Sequence, residues 1–520
     1  MSAAFATPAE SQDFLGHPKG LYVCFFTELW ERFSFYGMKA LLFFYVTKYH
    51  LFPDEDGYLL LGTYAGLAYA LPVIGGLLAD RFLGMRKAVI FGALLLCLGH
   101  FGMAYEGAAA TRIGDVVVRD ALAIQVFYGS LALIIMGVGF LKPNISTIVG
   151  KLYREGDARR DSGFTLFYMG INIGAFTSAL VCGWLGEAYG WGYGFGAAGI
   201  GMLLGLAVFI WGQPHLQGAA EPPSLPLLRG KWLGVSREWL IYGSALLGVL
   251  LVQQVLQAKL TLLKTFELTA TEAVAFAMTA VLFVWFVRFT LKGCTPSERA
   301  RMWVLMALIA VSTVFWGLYE QSYGSWNAFA DRALNRQGLG VDWSAAQLTA
   351  LGGFFIFALS PIFAWLWPRL DARGLNPSVP AKFGFALIFS GLSMGCLVLA
   401  AKFPEANGKA ALWWFVLAYF VLEVGEMILS PIGLSAVTQL SVPRVVSLMM
   451  GVWFLASAFG EMLAGRFGTL AAIPEGETVT TAAALITFGD LFTLLMWIGL
   501  GSGMAMLMVT PMLRRALQRA

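Results

Sequence analysis

Residues 119–148, RDALAIQVFYGSLALIIMGVGFLKPNISTI, decide the fold class. From Ala121 to Leu141 there is no charged side chain. A lipid core about 30 Å thick takes about 20 apolar helical residues. Lipid offers open backbone groups no partner, so the run predicts a membrane-spanning helix. Comparable runs lie near 19–48, 58–80, 87–106, 162–187 and 191–212. After a polar, Pro-rich break they resume near 237–257, 270–290, 302–326, 345–367, 380–401, 409–438, 445–471 and 482–511. About fourteen spans make this an all-α polytopic membrane protein. Composition agrees. Of 520 residues 58% are hydrophobic and 13% charged, against a usual ~45–50% and ~25%, too few charges to cover a water-facing surface. The 60 glycines suit close helix packing in lipid.

Arginine and lysine collect in alternate connections: Asp80–Lys87, Lys151–Arg160, Arg229–Arg237, Arg288–Arg301 and Arg369–Lys382, then Arg514, Arg515 and Arg519. The opposite connections are acidic or neutral, as at Asp54-Glu55-Asp56 and Pro474–Glu477. Positive charge stays inside, so both termini are expected in the cytoplasm, in keeping with an even helix count. The polar stretch Ser2–Gly20 shows no cleavable signal, so the first span is expected to remain as a permanent helix. The break at 213–236 separates six spans from eight. The expected organisation is an N-terminal six-helix bundle (1–212), a linker with two extra helices (213–298) and a C-terminal six-helix bundle (299–520). Six plus six is the pattern of the major facilitator transporters.

Several function classes are excluded. A net charge of +4 without a basic block argues against nucleic acid. Cys24, Cys97, Cys182, Cys294 and Cys396 are scattered and read as buried, inert thiols. His17, His50, His100 and His215 form no ligand set, so neither metal nor cofactor is expected. H-E-x-x-H does not occur, the one G-x-S-x-G match, Gly391–Gly395, falls inside an apolar run and not at a strand-to-helix turn, no filter repeat is visible, and neither enzyme nor channel is expected.

Ionisable groups inside spans are costly and mark function by default. The densest group is Glu28-Leu-Trp-Glu31-Arg32-Phe-Ser-Phe-Tyr36, continuing to Lys39. On a helix Glu28 lies three residues from Glu31 and four from Arg32, so the three share a face. Two carboxylates beside one guanidinium leave an excess negative charge that a proton can relieve. The plain alternative is an ion cluster that packs helices.

This pattern, E-x-x-E-R-F-x-x-Y, resembles the first-helix signature of the proton-dependent oligopeptide transporters, a branch of the major facilitator superfamily. Gly75-Gly76-Leu77-Leu78-Ala79-Asp80-Arg81-Phe82-Leu83-Gly84 resembles the loop motif between spans two and three. Phe167-Tyr168-Met169-Gly170-Ile171-Asn172-Ile173-Gly174 resembles the fifth-span motif, and Gly425-Glu426 with Ser430-Pro431-Ile432-Gly433 a tenth-span segment. The four occur in family order across the chain.

The resemblance implies roles. Glu28, Glu31 and Arg32 match the proton-coupling motif, and Lys142 a lysine that couples to it and meets the peptide carboxylate. Tyr36 and Tyr69 match pocket tyrosines, although span-edge tyrosines also anchor at the interface. Asn172 matches a pocket amide. Trp316 and Glu320 match the seventh-span tryptophan and gating acid. Glu426 matches the acid that receives the peptide's amino terminus, with Ser430 one turn on, and Trp453 a pocket aromatic. Plain packing remains open for both tryptophans. Lys39 counts among the substrate-binding residues, and at matched depth it is expected to pair with Glu320 across the halves. Glu423 receives no role, and Glu461, Arg466 and Asp490 are read as structural or interfacial.

Three departures stand out. Lys39 stands where most members have arginine, so a bidentate grip becomes a point charge. Gly352 stands where many members have an asparagine that helps hold the amino terminus, and Gly62 where mammalian and some bacterial members carry a histidine, so no histidine relay is available. The implied function is proton-coupled symport of di- and tripeptides by alternating access in the bacterial inner membrane, with a monomer as the expected functional unit. The partners are peptide, protons and lipid. The alternative is a proton-coupled carrier of another small anion or zwitterion, such as nitrate or amino acids.

Overall fold

The computed structural model describes residues 13–154, 157, 159–232, 234–258, 268–473 and 479–518. Six long helices come first: α1 (Lys19–Phe44), α2 (Asp54–Leu83, bent at Leu71–Pro72), α3 (Met85–Met103), α4 (Ala121–Lys151), α5 (Arg160–Tyr189) and α6 (Trp191–Gly212). Two follow, α7 (Arg237–Gln257) and α8 (Ala270–Gly293). Six more complete the chain: α9 (Pro296–Tyr319), α10 (Ala350–Ala372), α11 (Val379–Lys402), α12 (Leu412–Leu440), α13 (Val446–Thr469) and α14 (Thr481–Gln518). Among the described residues, 13 helices are long and apolar enough to cross a membrane. The remaining long helix, α1, spans 26 residues and carries Glu28, Glu31, Arg32 and Lys39. All four are buried by neighbouring helices, so these charges meet protein and not lipid. The architecture is that of two six-helix bundles with two extra helices between them in the chain. Residues 1–12 of the polar leading stretch, the acidic connection at 474–477 and Arg519 lie outside the described residues.

Local chemistry sets the helix ends. The Asp120 carboxylate starts α4 by accepting from the backbone N–H of Leu122 at 2.9 Å and Ala123 at 3.2 Å. Thr269 with Glu272, and Thr295 with Glu298, form capping boxes at the starts of α8 and α9. α2 stops at Gly84, whose φ of 72° is open to glycine at little cost.

In the first bundle α1 packs on α5 and α6, and α3 on α4 and α6. In the second, α11 packs on α12 and α14. The bundles meet along two seams, α2 against α13 and α5 against α10. These seams are backbone-close. A Cβ on Gly62 would lie 2.8 Å from the Glu461 carbonyl oxygen, and one on Gly465 2.7 Å from that of Tyr58. Neither position admits a side chain, which explains why Gly62 holds no histidine.

α7 lies against α4, and α8 touches α9 and α2. Their outer faces, with Trp239 69% and Val281 69% exposed, are left to lipid. Arg466 on α13 ties α8 down by donating to the Glu272 carboxylate at 2.7 and 2.6 Å. The linker lies over the start of α3. There Ala220 accepts from the Arg86 N–H at 2.8 Å, and Arg86 pairs with Glu221 at 2.7 Å.

The two ends of the molecule differ. At the end carrying the α1–α2 connection, Arg332 donates to Asp54 at 2.6 and 2.8 Å, and Lys48 pairs with Asp331 at 2.7 Å. Glu187 there accepts from the Ala346 N–H at 3.1 Å. Each of these joins one bundle to the other. At the opposite end the pairs named for Arg86, and Arg444 with Glu298 at 3.6 Å, join no residue of one bundle to the other.

Candidate functional site

A cavity of about 220 Å³ lies between the bundles. That is below the roughly 300–1,000 Å³ of drug-sized sites, so its cargo is small. Its first wall comes from α1, α2, α4 and α5, which present Glu28, Arg32, Tyr36, Tyr69, Lys142 and Asn172. The facing wall, from α9, α12 and α13, presents Trp316, Glu320, Glu423, Glu426, Ser430 and Trp453. Thus every expected pocket residue except Glu31 and Lys39 lines one space.

Helix spacing produces the first charge cluster. Arg32 Nη2 donates to Glu31 Oε1 at 2.6 Å, its Nε also bonds Glu31 Oε2, and Glu28 Oε1 lies 3.3 Å from Nε. Adjacent residues on a helix diverge, yet the arginine stem is long enough to turn back to Glu31, which sits behind the cavity wall. Among the described residues Glu28 Oε2 has no hydrogen-bond partner, which makes it the unfilled acceptor of the cluster. Lys142 precedes Pro143 within α4 and lies 3.8 Å from the Tyr69 ring centre. Among the described residues it forms no ion pair, which leaves its charge available to an incoming anion.

Lys39, expected among the substrate contacts, lies off the cavity. Its Nζ bonds Glu320 Oε2 at 2.7 Å and Glu461 Oε1 at 2.7 Å, and sits 4.7 Å from the Tyr323 ring centre. Two carboxylates from α13 and the end of α9 hold this ammonium 1% exposed. The pairing with Glu320 is present, and Glu461 joins it as a third member. The reading of Glu461 as structural or interfacial named no partner for it; its place as an acid inside a span was the available signal for one. Lys39 and both acids are buried, so the triad bridges the bundles as a unit.

The aromatic lining follows the same division. Tyr36 from α1 stacks on Tyr323 across the bundles, ring centres 5.9 Å apart. Asn172 donates to the Tyr168 carbonyl at 2.9 Å, which holds its amide at the wall. Trp316 and Trp453 both line the cavity, and the indole N–H of Trp316 has no partner. Tyr168, Tyr319 and Tyr323 also line it, although tyrosine type and position alone did not mark them out. Among the described residues no cluster could hold a metal ion.

The PTR2 family model, described as the POT family, matches residues 86–482. An uncharacterized transporter of Bacillus subtilis (strain 168) is 34% identical over 93% of this chain and 94% of its own. A dipeptide and tripeptide permease A of Erwinia pyrifoliae is 32% identical over 100% of this chain and 99% of its own. Among solved structures, a peptide transporter POT in complex with alafosfalin superposes with a TM-score of 0.79 at 32% identity, covering 98% of each chain. Family model, full-length relatives and fold agree with the four motifs, and these relatives are transporters, not enzymes. The chain belongs to the POT family.

Proposed function

We propose that this protein takes up di- and tripeptides by proton-coupled symport, with alternating access about the central cavity. The observation that carries this reading is the polarity of the cavity. Among the described residues Lys142 stands without a counter-ion on one wall, and Glu426 without a cation on the other. A short peptide has one carboxylate and one ammonium at its ends, and all short peptides share them. The aromatics between the two walls tolerate varied side chains. The relatives named dipeptide and tripeptide permease support the cargo.

Protons enter through Glu28, Glu31 and Arg32, with Lys142 as the link to the peptide carboxylate. Lys39, Glu320 and Glu461 shut the outer side together with the Asp54–Arg332 and Lys48–Asp331 pairs. In this reading both termini are cytoplasmic, the clasped end faces outward, and a monomer is the working unit. The bundles are residues 1–212 and 299–520. Nitrate, the alternative cargo, meets three cavity-facing carboxyls on the second wall and is disfavoured by their charge.

The test is uptake by proteoliposomes. An inward proton gradient is expected to concentrate dialanine above its external level, and collapsing the gradient to abolish this. Dialanine that equilibrates but never accumulates would refute the coupling. Counterflow of nitrate or free amino acids, without counterflow of dialanine, would refute the cargo.

A further inference from the structure

Glu423 is a cavity-facing acid to which the transport cycle above assigns nothing. It precedes Glu426 by three residues on α12, so both carboxyls leave the same face, and it is 1% exposed. Its oxygens lie 3.3 and 3.2 Å from the Tyr319 hydroxyl, which has one proton and satisfies one oxygen at a time. The Glu426 carboxyl is its neighbour one turn on, and among the described residues Glu426 Oε2 has no partner.

Among the described residues no cation is paired with either carboxyl. Lys39 is held by Glu320 and Glu461, Arg32 by Glu31 and Glu28, and Lys142 lies against the Tyr69 ring on the opposite wall. The titratable groups facing the pair are Tyr319 and Glu320 from the end of α9, Tyr323 beyond it, Tyr36 from α1, Tyr168 from α5 and Tyr419 from α12 itself. None is basic. Space for the second carboxyl comes from α10, where a Cβ on Gly352 would lie 3.0 Å from Glu423 Oε1. The Glu423 carboxyl fills the volume that a side chain at 352 would take.

Two adjacent buried carboxyls cannot both be charged without positive charge between them. A peptide with one ammonium neutralises one, and a proton stays on the other. We infer that Glu423 and Glu426 form a two-carboxyl ammonium site that favours peptides whose amino-terminal residue carries a second, nearby cation. On arrival of such a dication the shared proton leaves to solvent, and each carboxylate takes one ammonium. The inference rests on the peptide reading.

Calorimetry on the detergent-solubilised protein at pH 6 tests it, with 2,4-diaminobutyryl-alanine against 2-aminobutyryl-alanine, which differ by one ammonium. The wild type is expected to bind the diamino peptide about tenfold or more tightly, the scale of one charge-assisted hydrogen bond. Glu423→Gln is expected to bring the ratio near one, and Glu423→Asp to restore part of it. Gly352→Ala, which pushes a methyl against the carboxyl, lowers the ratio in the same direction and serves where the glutamine variant does not fold. A wild-type ratio near one, or a full ratio in folded Glu423→Gln or Gly352→Ala, overturns the inference while peptide binding stands. Absence of binding by either peptide overturns the peptide reading along with it.

Discussion

Glu31 has both carboxylate oxygens on Arg32, whereas Glu28 keeps one oxygen free towards the cavity. Neutralising Glu31 therefore weakens the hold on Arg32 without removing a cavity wall. Glu31→Gln is expected to abolish uphill uptake while peptide exchange stays measurable, because the amide mimics a carboxyl that never releases its proton. Concentrative uptake at wild-type level by that variant would remove Glu31 from the coupling. Glu426→Gln is expected to weaken binding of a dipeptide by about ten- to over a hundredfold, the ~1.5–3 kcal/mol of a charge-assisted contact. Blocking the peptide's amino group by acetylation should cost the wild type as much, and equal binding of both forms would reject the contact. His100 is fully buried on α3, off the cavity, and neither ring nitrogen has a partner. His100→Ala is expected to leave the pH profile of uptake unchanged, and a lost pH response would redirect the proton route.

The element that ties these residues together is α13. It carries Glu461 towards Lys39, packs its backbone on α2 at Gly62 and Gly465, and holds α8 through Arg466. Among the described residues Glu320→Gln leaves Lys39 only Glu461 as a charged partner, so the ends of α1 and α9 that carry Lys39 and Glu320 should separate more readily. Spectroscopic distances between labels there are expected to shift towards longer values, with proton-driven uptake impaired more than exchange. An unchanged distribution with unchanged uptake would make the triad a static bridge. At the seam, Gly62→Ala places a methyl where the Glu461 carbonyl stands at 2.8 Å. Overpacking of this kind costs about 1–3 kcal/mol. A thermal midpoint below that of the wild type is the expected reading.

At the scale of the whole molecule, the cross-bundle pairs at one end and their lack among the pairs named for the other are, on the proposed function, one state of an alternating-access cycle. Asp54 with Arg332 is the strongest clasp of that end, since its two bonds hold a planar guanidinium on a carboxylate. Arg332→Ala is expected to raise the share of molecules open at that end, read as faster labelling of a cysteine placed beside the cavity by an impermeant thiol reagent added outside. Labelling at the wild-type rate would show that the remaining contacts suffice to close it.

Length and polarity along the chain were enough to determine the helices, their number and the six–two–six order, because lipid allows few other ways to satisfy backbone groups. The spacing Glu28, Glu31, Arg32 determined a shared helix face, and matched depth in two spans brought Lys39 and Glu320 into correspondence. Both are local or one-dimensional properties. Only the tertiary structure decided that Lys39 turns from the cavity to a second acid, Glu461, since that depends on how α13 is rotated against α1. It alone showed that Gly62 and Gly465 bring two backbones together across the bundles. It alone set Gly352 against Glu423, which makes room for two carboxyls on one wall. Composition reports that a helix is buried; which neighbour lies across from each side chain is a property of the packed bundle, where shape and charge are satisfied together.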